Sequence, residues 1–164
     1  MKWCSKKGRD SLPAFFISFL PPAYHAGLIL RELPHARPIG FSVSNLVRSK
    51  AFYEQALAPL GITKLMEFSA EQTGDYGHVG FGDNGKPYFW IGDRPDKLLG
   101  GCLHVAFVAA DRATVDAFYK AAIAAGARDN GPPGPRPIYH PGYYGAFVLD
   151  PDGHNVEAVC HKPE

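Results

Sequence analysis

The sequence predicts an α+β fold in which two tandem β-α-β-β-β modules form a cleft. Three observations carry that prediction. The chain repeats itself at an offset of 66 (117 − 51): Ala51-Phe52-Tyr53 recurs as Ala117-Phe118-Tyr119, and Phe41, Ala56 and Ala58 recur as Phe107, Ala122 and Ala124. Self-similarity at a fixed period marks a repeated structural unit. Each copy runs from a short apolar strand through a capping residue into an amphipathic helix. Finally, 18 Gly and 15 Pro in 164 residues break the chain too often for a helical bundle and suit strands joined by turns.

The elements follow in order. Short apolar runs at 39–44 and 103–109 read as the first strand of each module. Asn45 and Asp111 then stand where a helix N-cap is needed, since their side chains accept bonds from the first free helix N–H groups. Helices are predicted over about 46–58 and 112–125. Ala51, Phe52, Gln55 and Ala56 set the helical spacing in the first; Val115, Phe118, Ala122 and Ala125 set it in the second. Gly61 and Gly126 end them. Strands are then predicted at 62–68, 75–82 and 87–92, with Gly74 and Asp83-Asn84-Gly85 as turns. The second module continues with a short strand near 127–129, then 143–149 and 154–160. Asp150-Pro151-Asp152-Gly153 makes the last hairpin turn, with Pro presetting φ at its second position.

Residues 1–36 stand apart as an extension outside the fold. They open with Lys2, Lys6, Lys7 and Arg9, followed by an apolar patch to Leu20 and Pro21-Pro22. A targeting segment and an arm packing on a partner remain alternatives there. The domain proper is expected at 37–161, with modules at about 37–98 and 101–161.

Composition excludes several function classes. A net charge of +1 lacks the clustered cationic surplus of a nucleic-acid binder. No apolar run reaches the roughly 20 residues that span a bilayer. Cys4, Cys102 and Cys160 are too scattered for a disulfide framework or zinc ribbon. They read as reduced thiols of a cytoplasmic protein, with Cys102 and Cys160 as small core residues.

The opening VSNLVRSKAFYEQALAPLG of one module and the ending LDPDGHNVEAV of the other give the chain a family look. Over nearly all of 38–161 it resembles the vicinal oxygen chelate superfamily, which includes glyoxalase I, extradiol dioxygenases, fosfomycin-resistance enzymes and bleomycin-binding proteins. The resemblance implies metal ligands on the first and last strand of each module. It also implies a small-molecule ligand, and it leaves a homodimer open. One fold hosts many chemistries, so the reaction stays open between lyase, dioxygenase and metal-free binding.

On those strands His104 sits at opposite parity to Leu103, Val105 and Phe107, so it faces the cleft. Glu157 lies between Val156 and Ala158, and a carboxylate centred in an apolar strand needs a partner. His104 and Glu157 are the expected metal ligands, for iron, manganese, nickel or zinc. A metal-free hydrogen-bonded histidine and a carboxylate paired with a nearby Arg, His or Tyr are the alternatives. The first module lacks the pair: His104 maps to Pro38, and Glu157 maps to Ile91 or Phe89 according to the alignment. Phe89 and Ile91 are therefore expected to wall the cleft, with Tyr88 and Trp90 on the first helix. The proline-rich loop before the penultimate strand adds His140 and three tyrosines. Catalytic roles are expected for Glu157, His140 and Tyr144, and substrate contacts for Tyr139 and Tyr143. His78 and His154 read as structural.

Overall fold

The computed structural model describes residues 38–162, so the extension expected at residues 1–36 lies outside the described residues. The first module contains β1 (Ile39–Ser42), α1 (Leu46–Ala56), β2 (Thr63–Phe68), α2 (Ala70–Thr73), β3 (His78–Asp83) and β4 (Lys86–Gly92). The second contains β5 (His104–Val108), α3 (Arg112–Ala124), β6 (Arg128–Pro135), β7 (Tyr144–Leu149) and β8 (Asn155–Cys160). The sheets have matching orders, β1-β4-β3-β2 and β5-β8-β7-β6. In each, the first and last strands pair in parallel and the remaining pairs are antiparallel. No helix among the described residues is long and apolar enough to cross a membrane.

Both predicted caps form. Asn45 Oδ1 accepts from the Arg48 amide at 2.9 Å, and Asp111 Oδ1 from the Thr114 amide at 2.7 Å. Asn45→Ala should lower stability by about 1 kcal/mol, the usual cost of a lost N-cap. Urea unfolding would measure it, and a change within error would mean water replaces the cap. Helix α1 stops before Pro59, which starts a 3-10 turn over Ala58–Leu60 because it has no N–H for an α-helical bond. Two elements exceed the expectation. Ser69 and Gln72 form a reciprocal capping box that supports the short α2. Strand β6 extends to Pro135 despite Pro132 and Pro133, because it lies at the sheet edge and can lack ladder donors.

One core serves both modules. Tyr53, Phe81 and Phe89 from the first and Val115, Phe118 and Ala122 from the second are buried. Phe89 meets Phe107 edge-on with ring centroids 5.2 Å apart, so the helix-side faces of the two sheets are continuous. Cys160 is buried in this core as expected, but Cys102 is exposed because it sits in the turn segment before β5 rather than on a strand.

The last hairpin turn fastens one module to the other. Asp150, 2% exposed, accepts from the Tyr53 phenol at 2.7 Å and from the amides of Asp152 and His154. Asp152 accepts from the Ser44 amide at 2.8 Å and the Arg48 guanidinium at 2.9 Å. His154 is a turn residue, as expected, with its ring 5.0 Å from that of Phe41.

Candidate functional site on the open sheet faces

Each sheet has a helix side and an open side, and strand parity decides which side chains reach the open one. In β5, Val105 and Phe107 are buried and His104 is exposed, as the alternation predicts. Glu157 shares the open face of β8, opposite Ala106. It is 1% exposed, yet both of its oxygens have partners. Oε2 lies 2.9 Å from His104 Nε2, and Oε1 accepts a short bond from the Tyr143 phenol. Burial first, then the hydrogen bond and charge of Glu157, push the Tyr143 phenol far up, so it stays a donor. The carboxylate that looked costly in an apolar strand is therefore paired by a histidine and a tyrosine.

With its carboxylate ionised Glu157 would only accept, and His104 Nε2 would be the donor between them. His104 Nδ1 is then an acceptor, on a side chain that is 44% exposed. This arrangement sets the tautomer of an accessible imidazole by a buried carboxylate, a geometry suited to taking a proton from a ligand and stabilising the resulting imidazolium.

Of the loop residues, Tyr139, His140 and Tyr143 cluster by their rings, and Tyr144 goes elsewhere. Tyr143 touches Glu157, whereas Tyr144 turns to the helix side and donates to Asp116 on α3 at 2.9 Å. Adjacent strand residues point to opposite faces, so only one of these two tyrosines can reach the open face, and Tyr144 loses its expected catalytic place. His140 has no hydrogen bond to Glu157 but packs edge-on against Tyr143, 5.2 Å between centroids; its Nε2 lies 2.9 Å from His161 Nδ1, and its Nδ1 accepts from the Gly142 amide. Tyr139 is half exposed, with its ring 4.8 Å from that of Tyr143.

The wall of the first module is the reverse of the expectation. Phe89 and Ile91 are 2% and 1% exposed and belong to the core, with Phe89 packed 4.9 Å from the Tyr53 ring. Tyr88 and Trp90 take the opposite parity, and Trp90 stands on the open face. The register gives the reason. Val43 donates to the Gly92 carbonyl and Ala109 to the Val159 carbonyl, so first strands match at an offset of 66 (109 − 43) and last strands at 67 (159 − 92). The counterpart of Glu157 is Trp90, while that of His104 remains Pro38. A shift of one residue exchanges the two faces of a strand. Trp90 lies against Gly80, where a Cβ would come within 2.7 Å of the indole. Phe68 stacks on it with centroids 6.5 Å apart. Tyr76, His78, Trp90, Arg94 and Lys97 line an open recess of about 430 Å³ there, with His78 half-buried at its edge.

Residues 32–158 match the family model of the Glyoxalase/Bleomycin resistance protein/Dioxygenase superfamily. The chain belongs to that superfamily. Among curated proteins none matches it in sequence. A glyoxalase/bleomycin resistance protein from Albidiferax ferrireducens is 26% identical, with a TM-score of 0.64 over 76% of this chain and 98% of that one. A glyoxalase I mutant from Zea mays is 24% identical with a TM-score of 0.60, covering 76% of this chain but only 46% of that one. The chain thus spans about half the length of the maize protein. The Listeria monocytogenes fosfomycin resistance protein FosX, in complex with manganese(II) and dihydroxypropylphosphonic acid, is 18% identical with a TM-score of 0.56, covering 77% of this chain and 91% of that one. The maize and FosX likenesses show the fold.

Does this member of the superfamily have the donors for a divalent ion? The second sheet offers two, His104 and Glu157, and they are engaged with each other. The matching positions of the first sheet are Pro38 and Trp90, which have no ligating atoms. Among the described residues no group of three or more His, Cys, Asp or Glu side chains converges. Catalytic metal sites use three protein ligands as a rule, such as a 2-His-1-carboxylate set. The donor set among the described residues therefore does not fit a resident divalent ion.

Proposed function

We propose that this domain is an enzyme acting on a small oxygen-bearing molecule at the open face of the second sheet. His104 is the proton-transferring group and Glu157 is its positioning partner. The observation that carries this reading is the 2.9 Å contact between the half-exposed imidazole and a carboxylate that is itself 1% exposed. A buried anion stabilises the imidazolium that forms when Nδ1 takes a proton, and it fixes the ring's orientation. Tyr143 holds the other carboxylate oxygen, so the rotamer of Glu157 is constrained from two sides.

Nitrogen–proton NMR of the His104 ring tests the assignment without any substrate. Neutral His104 is expected to carry its proton on Nε2 with that proton shifted downfield by the carboxylate, and Glu157→Ala should remove the downfield shift. A neutral ring protonated on Nδ1 would overturn the reading. Protein purified without added metal should hold well under one ion per chain. Stoichiometric iron, manganese, nickel or zinc that both His104→Ala and Glu157→Ala abolish would replace this reading with a metal half-site. Small molecules that raise the melting temperature can then be followed for conversion. Glu157→Gln should slow conversion roughly 100-fold while binding persists, the range of a lost acid–base contribution.

A second reading, ligand sequestration without turnover, is favoured by the recess around Trp90. Its aromatic walls offer π faces and its rim carries Arg94 and Lys97. Compounds that quench Trp90 fluorescence and return unchanged after long incubation would support it.

A further inference from the structure

Arg136 is a cation on the open face of the second sheet with no carboxylate beside it. Among the described residues no Asp or Glu lies within ion-pair distance of its guanidinium, whereas Arg48 and Arg94 both have acidic partners. Backbone carbonyls hold it instead: Nη1 donates to Pro135 at 3.2 Å and Nη2 to Pro132 at 2.6 Å. The plane lies over the Phe147 ring, 5.6 Å from its centroid. The glycines of β6 make the space. A Cβ at Gly134 would come within 3.0 Å of Nη1, and one at Gly131 within 3.1 Å of the Phe147 ring. Two of the five guanidinium N–H groups are used, so three remain. The charge is therefore held in place but not neutralised, and that is the state in which an arginine binds an oxyanion with little reorganisation.

Phe147 connects this cation to the site. It is the cross-strand partner of Glu157, and its ring centroid lies 6.3 Å from that of His104. Phe147 is itself buried, with Arg136 against its ring and His104 beside it, so the two polar groups border the same stretch of the open face. We propose that Arg136 anchors an oxyanion, carboxylate or phosphoryl, of the ligand on which His104 acts. This rests on the reading of His104 given above and adds the ligand's charge class to it.

The test uses benzoate, phenylphosphonate and neutral benzyl alcohol, titrated into isotopically labelled full-length protein. The two anions should shift the Arg136 Nε–H and Phe147 amide signals saturably, with affinity that falls as salt rises. Benzyl alcohol should not. Arg136→Gln should weaken anion binding tenfold or more, and Arg136→Lys should keep part of it, since it retains the charge but loses the fork. The stronger of the two anions identifies the headgroup. Unshifted Arg136 and Phe147 signals at tens of millimolar anion would overturn the proposal. So would Arg136→Gln binding both anions as wild type does. The wild-type titration and Arg136→Lys decide the matter even if Arg136→Gln fails to fold. The His104 tautomer is read in the same spectra. An Nε2-protonated His104 with no anion binding removes the anchor alone, while anion binding beside an Nδ1-protonated His104 removes the base assignment alone.

Discussion

Phe89→Ala is expected to cost the folded state about 4 kcal/mol, the range for deleting a buried aromatic side chain and leaving a cavity. The ring is 2% exposed and touches those of Phe41, Tyr53, Phe81 and Phe107. Those contacts join both modules, so little backbone is free to collapse into the space. Chemical denaturation of purified protein, followed by tryptophan fluorescence, measures the loss. A cost under about 1 kcal/mol would put Phe89 on the open face as a ligand wall, since surface substitutions change stability little. The same substitution should leave the Nε2 protonation of His104 unchanged in the folded fraction.

The second large effect is at the turn that fastens the modules. Asp150→Ala is expected to cost about 4 kcal/mol, because three donors lose their acceptor inside the fold and each unsatisfied group carries a desolvation penalty of about 1–3 kcal/mol. Tyr53→Phe should cost less, since Asp150 keeps both backbone donors. That variant also carries a pH signature. Burial, with the nearby charge of Asp150 and the hydrogen bond to it adding to the effect, holds the Tyr53 phenol well above its ordinary value of 10.0. A group whose pKa is raised on folding stabilises the protein fully below the unfolded value. That contribution is lost as pH rises toward the folded value. Wild type should therefore lose stability as pH rises above about 10, and Tyr53→Phe should flatten that limb. Parallel wild-type and variant curves there would show that the phenol is not buried against Asp150.

Much of this architecture was legible in the residues. Asn45 and Asp111 cap their helices because a short acceptor side chain before an amphipathic run has one strong local use. Gly61 and Gly126 end the first helical segment and α3 at φ of 73° and 95°, a region that costs a Cβ-bearing residue more. The His104 face was correct because Val105 and Phe107 are large and apolar beside it. Local alternation also placed Glu157 correctly, since it stands alone among apolar neighbours.

The first module's last strand was not legible in the same way. Tyr88-Phe89-Trp90-Ile91 is apolar on both faces, so alternation offers no choice and only the repeat assigns them. The repeat offset is 66 at β1 and α1 but 67 at β4, and the extra residue reversed the strand. Gly80, facing Trp90 across the sheet, held the missing signal, because a glycine opposite a large ring marks the side on which that ring lies flat. Tyr143 and Tyr144 raised the same problem at the start of β7. Either could reach Glu157 by composition, and only the strand's exact start decides between them.

The sequence alone determined the fold class, the repeat, the helix caps, the hairpin turn at Asp150-Pro151-Asp152-Gly153 and the singular character of His104 and Glu157. Those depend on short-range spacing and on the cost of placing one polar group among apolar ones, and both are local. Tertiary structure alone decided what that turn holds, which tyrosine meets Glu157, that Trp90 rather than Phe89 faces outward, and that Arg136 lies over Phe147 without an acidic partner. Those depend on strand register across a sheet, where a single residue of slip exchanges core for surface, and on contacts between residues more than ten positions apart in the chain.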